Sequence, residues 1–203
     1  MNYLKLNLPK PSEEIIELFN QISNRLKTEE DMVYINNTRH WVYSNHPNEK
    51  NLAFCSYIGS SELTDLGRKE YGYLFEETIH VGGINLINED TSIIARYPPH
   101  TDHNRITALN YMLSPGGDKV STVTYKQHDS EGHAYSSGKM DFDGSEIDRI
   151  YQMNDQLWYG LDVKQYHSVE NIETIRSIFS LSFIGITLDD LAKKYPHLIE
   201  MRL

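Results

Sequence analysis

The chain has 203 residues, enough to bury one substantial core, and its 39% hydrophobic and 11% aromatic content excludes a disordered tail or linker. A formal net charge of −10 speaks against nucleic acid as a partner, because such binding needs a basic face to displace counterions. Cys55 is the only cysteine, so no internal disulfide is available and a reducing, cytoplasmic setting is expected; no apolar run is long enough for a membrane helix, and the first residues lack an apolar signal core.

In chain order, residues 11–28 predict a helix. Pro11 and Ser12 start it, Glu13 and Glu14 favour its positive end, and Ile15, Ile16, Phe19, Ile22 and Leu26 fall on one stripe suited to covering a sheet. Cys55 follows Leu52-Ala53-Phe54 and reads as a buried core thiol rather than a nucleophile. A second, shorter helix is expected within 61–80. From about 90 to 185 the pattern changes to short β-branched and aromatic runs broken by turns: 91–97, 106–113, 119–126, 156–161 and 176–184. The turn Ser114-Pro115-Gly116-Gly117-Asp118 separates the second run from the third. Residues 127–148 form a long polar loop, a lid or a mobile insertion. A last helix spans 188–195, capped by Thr187 or Asp189 and stopped by Pro196. The prediction is a mainly β fold with flanking helices around a double-stranded β-helix, the jelly-roll or cupin-like core. Residues 1–203 are expected to form a single domain, with 1–85 as helical and β support, 90–185 as the catalytic core and 187–203 as a C-terminal helix.

The chemistry centres on Pro98-Pro99-His100-Thr101-Asp102. A histidine and an aspartate two apart can turn towards one point at a strand end, and imidazole with carboxylate suits a borderline cation such as Fe(II). The triplet alone is weak evidence, since a solvated turn has the same spelling. His167 follows a turn and begins a strand, so it can project into a barrel mouth. Nine residues on, Arg176 opens an apolar strand whose alternation places Phe179, Leu181 and Phe183 on one face and Arg176, Ile178, Ser180 and Ser182 on the other. An arginine on that second face needs a carboxylate, either a ligand's or one of the chain's own acids. Solvated loop positions are the bland reading of His103, His128 and His133. Arg96 and Arg105 could orient a substrate or make ion pairs, and Tyr97 reads as packing.

The order His-x-Asp, a second histidine about 65 residues later and an arginine about nine further on resembles the 2-oxoglutarate- and Fe(II)-dependent dioxygenases, in particular their prolyl-hydroxylase-like branch. Pro99-His100-Thr101-Asp102, the run from Arg105 to Leu113, and Trp158 through Val169 and Asn171 are similar to that branch, over roughly residues 90 to 185. The resemblance implies that His100, Asp102 and His167 hold iron, that Arg176 grips the distal carboxylate of 2-oxoglutarate, and that Asn110 or Tyr111, on opposite faces, assists. Ile178 departs from the Arg-x-Ser pattern of some branches. The implied activity is that of an oxidoreductase, a dioxygenase using O2, most simply a hydroxylase of a protein side chain or a small molecule. A cupin-like metal protein without 2-oxoglutarate and a non-enzymatic jelly-roll binding module remain the alternatives.

Overall fold

A computed structural model describes residues 3–25, 53–88, 90–102, 105–126, 146–153 and 156–202. The elements in chain order are β1 (Tyr3–Leu6), α1 (Glu13–Arg25), β2 (Phe54–Ile58), α2 (Ser61–Tyr71), β3 (His80–Ile87), β4 (Ala95–His100), β5 (Thr107–Pro115), β6 (Ser121–Tyr125), β7 (Ile147–Tyr151), β8 (Trp158–Asp162), β9 (His167–Ile172), β10 (Ile175–Phe183), α3 (Leu188–Lys194) and β11 (Ile199–Arg202). The large sheet has the order β11-β1-β8-β5-β10-β3-β2 and the small one β4-β9-β6-β7. From β3 onwards the chain steps between the sheets, returning to the small one twice in succession only at β6 and β7. The central strands β3-β10-β5-β8 therefore face β4-β9-β6-β7 as a double-stranded β-helix, the fold class expected from the sequence.

The outer face of the large sheet is covered by helices. Phe179, Leu181 and Phe183 on β10, with Leu109, Tyr111 and Trp158, bury against Ile15, Leu18, Phe19 and Ile22 of α1 and Leu63 of α2. Ser12 Oγ accepts from Ile15 N to start α1, and Ser60 Oγ accepts from Leu63 N to start α2. Gly83 makes the close approach of α1 possible: a Cβ there would lie 2.2 Å from Phe19 and 2.5 Å from the Ile178 carbonyl oxygen.

Several elements differ from expectation. The helix within 61–80 ends at Tyr71, a short 3-10 turn follows, and His80 already begins β3, a central strand of the barrel. β3 escaped notice because Gly82 and Gly83 dilute its apolar run. Residues 91–94 are not strand; Asp90 Oδ1 accepts from Ser92 N and Oγ, making a local turn. β4 instead runs on through both prolines to His100. It is an edge strand, so the absent proline N–H groups cost no ladder bond there. The 127–148 loop ends in β7 from Ile147, while 127–145, like residues 26–28 of the first predicted helix, lies outside the described residues. Thr187 rather than Asp189 caps α3, its Oγ1 accepting from Asp190 N, and Pro196 begins a turn that leads into β11 alongside β1. One β-bulge matters later: Ser177 pairs with Ser114 but Ile178 with Met112, so Leu113 is the extra residue on β5. Cys55 is buried, and burial pushes its thiol up to about 12, as befits a core residue. Among the described residues no helix is long and apolar enough to cross a membrane.

Candidate metal centre

The site lies between the two sheets. His100 ends β4 and His167 begins β9, and the two are register partners with ring centroids 4.3 Å apart. Asp102 stands just beyond the strand. Its N–H donates to Val163 O at 2.8 Å and its carbonyl accepts from Lys164 Nζ at 2.7 Å, which pins the loop. The donor atoms of His100, Asp102 and His167 all lie within 4.8 Å of one another. His100 Nε2 is 3.7 Å from Asp102 Oδ1. His167 Nδ1 is 2.9 Å from Gln165 O; with the proton on Nδ1, Nε2 presents its lone pair to the other two residues. Gln165 is held in turn by donating to Tyr125 O, and the Tyr97 ring stands edge-on to His100. Two imidazoles and one carboxylate so arranged are a facial donor set of the kind that suits Fe(II).

Asp102 is tuned by its surroundings. Burial alone would raise its pKa, but the charge of Arg105, helped by the two histidines, outweighs this and holds it at about 2. Arg105 Nε donates to Asp102 Oδ2 at 2.5 Å, and Nη1 donates to the hydroxyls of Ser180 and Ser182 at 3.1 and 3.0 Å. One carboxylate oxygen is thereby occupied, leaving Oδ1 on the histidine side. Of the two readings for Arg105, the structure shows the ion pair, made with Asp102 of the candidate site.

Arg176 is 1% exposed. Nη2 donates to Thr122 Oγ1 at 3.1 Å and lies 3.2 Å from Met153 Sδ, while Nε and Nη1 make no hydrogen bond. Among the described residues no carboxylate pairs with it. Burial lowers its pKa to about 10, so the guanidinium is still charged at neutral pH. The expected face is observed: Ile178, Ser180 and Ser182 pair across β5 with Met112, Asn110 and Ala108, all turned inward. Asn110 is buried there and its Oδ1 has no partner. Tyr111 corrects the expectation: it lies on the opposite face, packed against Trp158 in the helix-covered core, because neighbours on a strand alternate. Thr122, which touches Arg176, is two residues along β6 from Thr124, the register partner of His167. The guanidinium and the histidine are thus offset by roughly 7 Å along the strands.

Thr122, Met153 and Gln165 belong to the site but carried no motif; only the position of Gln165, two before His167, offered a hint. Tyr97 packs as expected, and Arg96 is half-buried on β4. His103, His128 and His133 lie outside the described residues.

No protein-family model matches this chain, and no curated protein matches it. Solved structures do. A prolyl hydroxylase from Trichoplax adhaerens, in complex with a hypoxia inducible factor oxygen degradation domain peptide fragment, aligns with a TM-score of 0.52 at 10% identity, over 90% of this chain and 83% of that one. The α-ketoglutarate-dependent carbocyclase SnoK of nogalamycin biosynthesis aligns at 0.51 and 10%, over 95% and 86%. This chain shares the fold of these two enzymes. The epimerase SnoN of the same biosynthesis agrees, at 0.50 and 11% identity over 89% and 77%. At these identities the likeness speaks to architecture, and the chemistry has to be argued from the residues of the site.

Proposed function

We propose that the protein is an Fe(II)- and 2-oxoglutarate-dependent oxygenase that hydroxylates a C–H bond of a protein side chain or a small molecule. The observation that carries this reading is the pairing, inside one barrel, of a facial His-Asp-His donor set with a buried guanidinium that has two unused nitrogens and no carboxylate partner among the described residues. Leaving a buried charge without a counterion is costly, so its retention is best explained by an anion that arrives with the reaction. A short dicarboxylic 2-oxo acid spans the offset between the two ends. When bound, Fe(II) with 2-oxoglutarate and O2 supplies oxidising power sufficient for an unreactive C–H bond, with succinate and CO2 as co-products.

The chain's own residues position and protect. His100, Asp102 and His167 would hold the cation. Arg105 keeps Asp102 ionised and fixed in rotation. Arg176 would orient the distal carboxylate through its unused donors, and the apolar residues around it, Met112, Met153 and Ile178, exclude water. The fold neighbours include an epimerase and a carbocyclase as well as a hydroxylase; hydroxylation is proposed as the simplest outcome of the shared chemistry. A cytoplasmic setting remains part of this proposal, on the single buried cysteine.

The test is succinate formation from 2-oxoglutarate with Fe(II), alone and with pooled peptides or metabolites, together with iron content. Wild type should bind iron and turn over the cosubstrate. His100→Ala and His167→Ala should lose the iron, and Arg176→Ala should keep it while losing the cosubstrate. Equal iron content in wild type and both histidine variants would defeat the proposal.

A further inference from the structure

We propose that Tyr3, on the N-terminal strand β1, is a second donor to the carboxylate held by Arg176, so that a strand outside the eight-stranded barrel helps choose the cosubstrate. This rests on the cosubstrate reading above.

Tyr3 is 1% exposed, and its hydroxyl makes no hydrogen bond. It is placed on the inner face by its register: β1 pairs with β8, Tyr3 opposite Leu161, and its ring joins Met112, Met153 and Ile178 in the inner cluster. Met153 is the residue whose sulphur touches the Arg176 guanidinium. The Tyr3 ring lies flat on Tyr151, with centroids 4.0 Å apart and planes at 10°, and packs on Tyr159 at 5.5 Å. Tyr151 in turn is the register partner of Thr122, the other residue that Arg176 touches. The phenol and the guanidinium therefore share both neighbours. They also influence each other's ionisation, while burial holds the phenol neutral and so a donor.

The chemistry of the vacant valences points to an anion. Arg176 Nε and Nη1 are donors only, and no bond between them and the Tyr3 oxygen is formed, although that oxygen could accept one. Three buried donors thus stand beside one apolar cluster, none satisfied by the others. A buried hydroxyl without a partner costs stability, as does a buried guanidinium nitrogen. A carboxylate held on one edge of the guanidinium can also accept from the phenol. The aromatic wall has a second use. Tyr3, Tyr151 and Tyr159 also line an outer groove of about 650 Å³ flanked by Lys5 and Arg149. Tyr3→Phe keeps that wall and removes only the hydroxyl.

The experiment is calorimetric titration of Fe(II)-loaded full chain under nitrogen with 2-oxoglutarate and, separately, with 2-oxobutanoate, which lacks the distal carboxylate. Melting temperature without ligand is measured alongside. Tyr3→Phe should weaken 2-oxoglutarate roughly tenfold, the worth of one hydrogen bond to a charged group. It should leave 2-oxobutanoate and iron content unchanged, and the unliganded melting temperature equal or higher, because an unsatisfied buried hydroxyl has gone. Unchanged 2-oxoglutarate affinity would overturn the role of Tyr3 while leaving the cosubstrate reading intact. Equal weakening of both acids would also overturn it, since that marks a general loosening. If wild type binds iron yet shows no preference between the two acids, the cosubstrate reading itself fails, and the role of Tyr3 with it.

Discussion

Replacing Arg176 by methionine should make the unliganded protein more stable, the opposite of what truncating a buried, ordered side chain usually does. The guanidinium has one polar contact to oxygen, Thr122 Oγ1, and one to sulphur, Met153 Sδ; Nε and Nη1 have none. Each unsatisfied buried donor costs about 1–3 kcal/mol. Exchange of buried ionic groups for apolar ones of similar volume is neutral or stabilising by about 1–4 kcal/mol. Against this stand the smaller volume of methionine, a cost of about 1 kcal/mol, and little else. Thr122 Oγ1 keeps its contact with Met153 Sδ at 3.8 Å. The net expectation is a gain of about 2 kcal/mol, or roughly 4–8 °C in melting temperature for a chain of this size. Saturating 2-oxoglutarate should then reverse the order. At a hundred times its Kd a ligand adds about 2.7 kcal/mol to wild type, and it should add nothing to Arg176→Met. Scanning calorimetry of the metal-loaded proteins with and without the acid reads both effects. If Arg176→Met is destabilised by more than about 1 kcal/mol without ligand, the guanidinium is a structural member and the reasoning is refuted.

Other perturbations test the site and its support. Arg105→Ala should free Asp102 Oδ2 and weaken metal binding about 10-fold to 100-fold, as losses around a ligand commonly do, measured by competition with a chelator. In the metal-free protein, Asp102 titrates at about 2 against an ordinary 3.8. Its contribution to stability is therefore complete above about pH 4 and lost as the pH falls towards 2, a change of about 2 kcal/mol; urea midpoints across that window should fall more steeply in wild type than in Asp102→Asn, where Glu77, Asp90 and Asp190 still contribute. Gly83→Ala should cost about 1–3 kcal/mol by overpacking, since the new methyl group meets Phe19 and the Ile178 carbonyl; thermal unfolding would show the loss, and an unaltered midpoint would mean that α1 is less firmly seated than described.

The candidate metal centre was legible because its chemistry is spelled in residue type and order: His100-x-Asp102, then His167 after a turn. The face of β10 was legible because alternation is a period of two that survives any packing. What escaped was the support. β3 was hidden by its paired glycines, whose reason is the helix packed on top of them and the neighbouring backbone. β1 and β11 are four residues each, too short to show a period. Thr122 and Met153 reach Arg176 only across 54 and 23 positions of chain, which no local pattern encodes. Tyr111 shows the limit from the other side: its kinship to a useful strand was right, but a shift of one residue along that strand separates the barrel interior from the helical core.

The supernumerary Leu113 has a consequence for anyone comparing this barrel with another. Strands are commonly treated as uninterrupted blocks and length differences pushed into loops. Here an inserted position sits inside the strand, two residues before its end, so a gapless superposition would fall out of phase on one side of it, exchanging inward and outward residues. Homology judged on the half before Leu113 and on the half after it should be registered separately, with the offset assigned to that position.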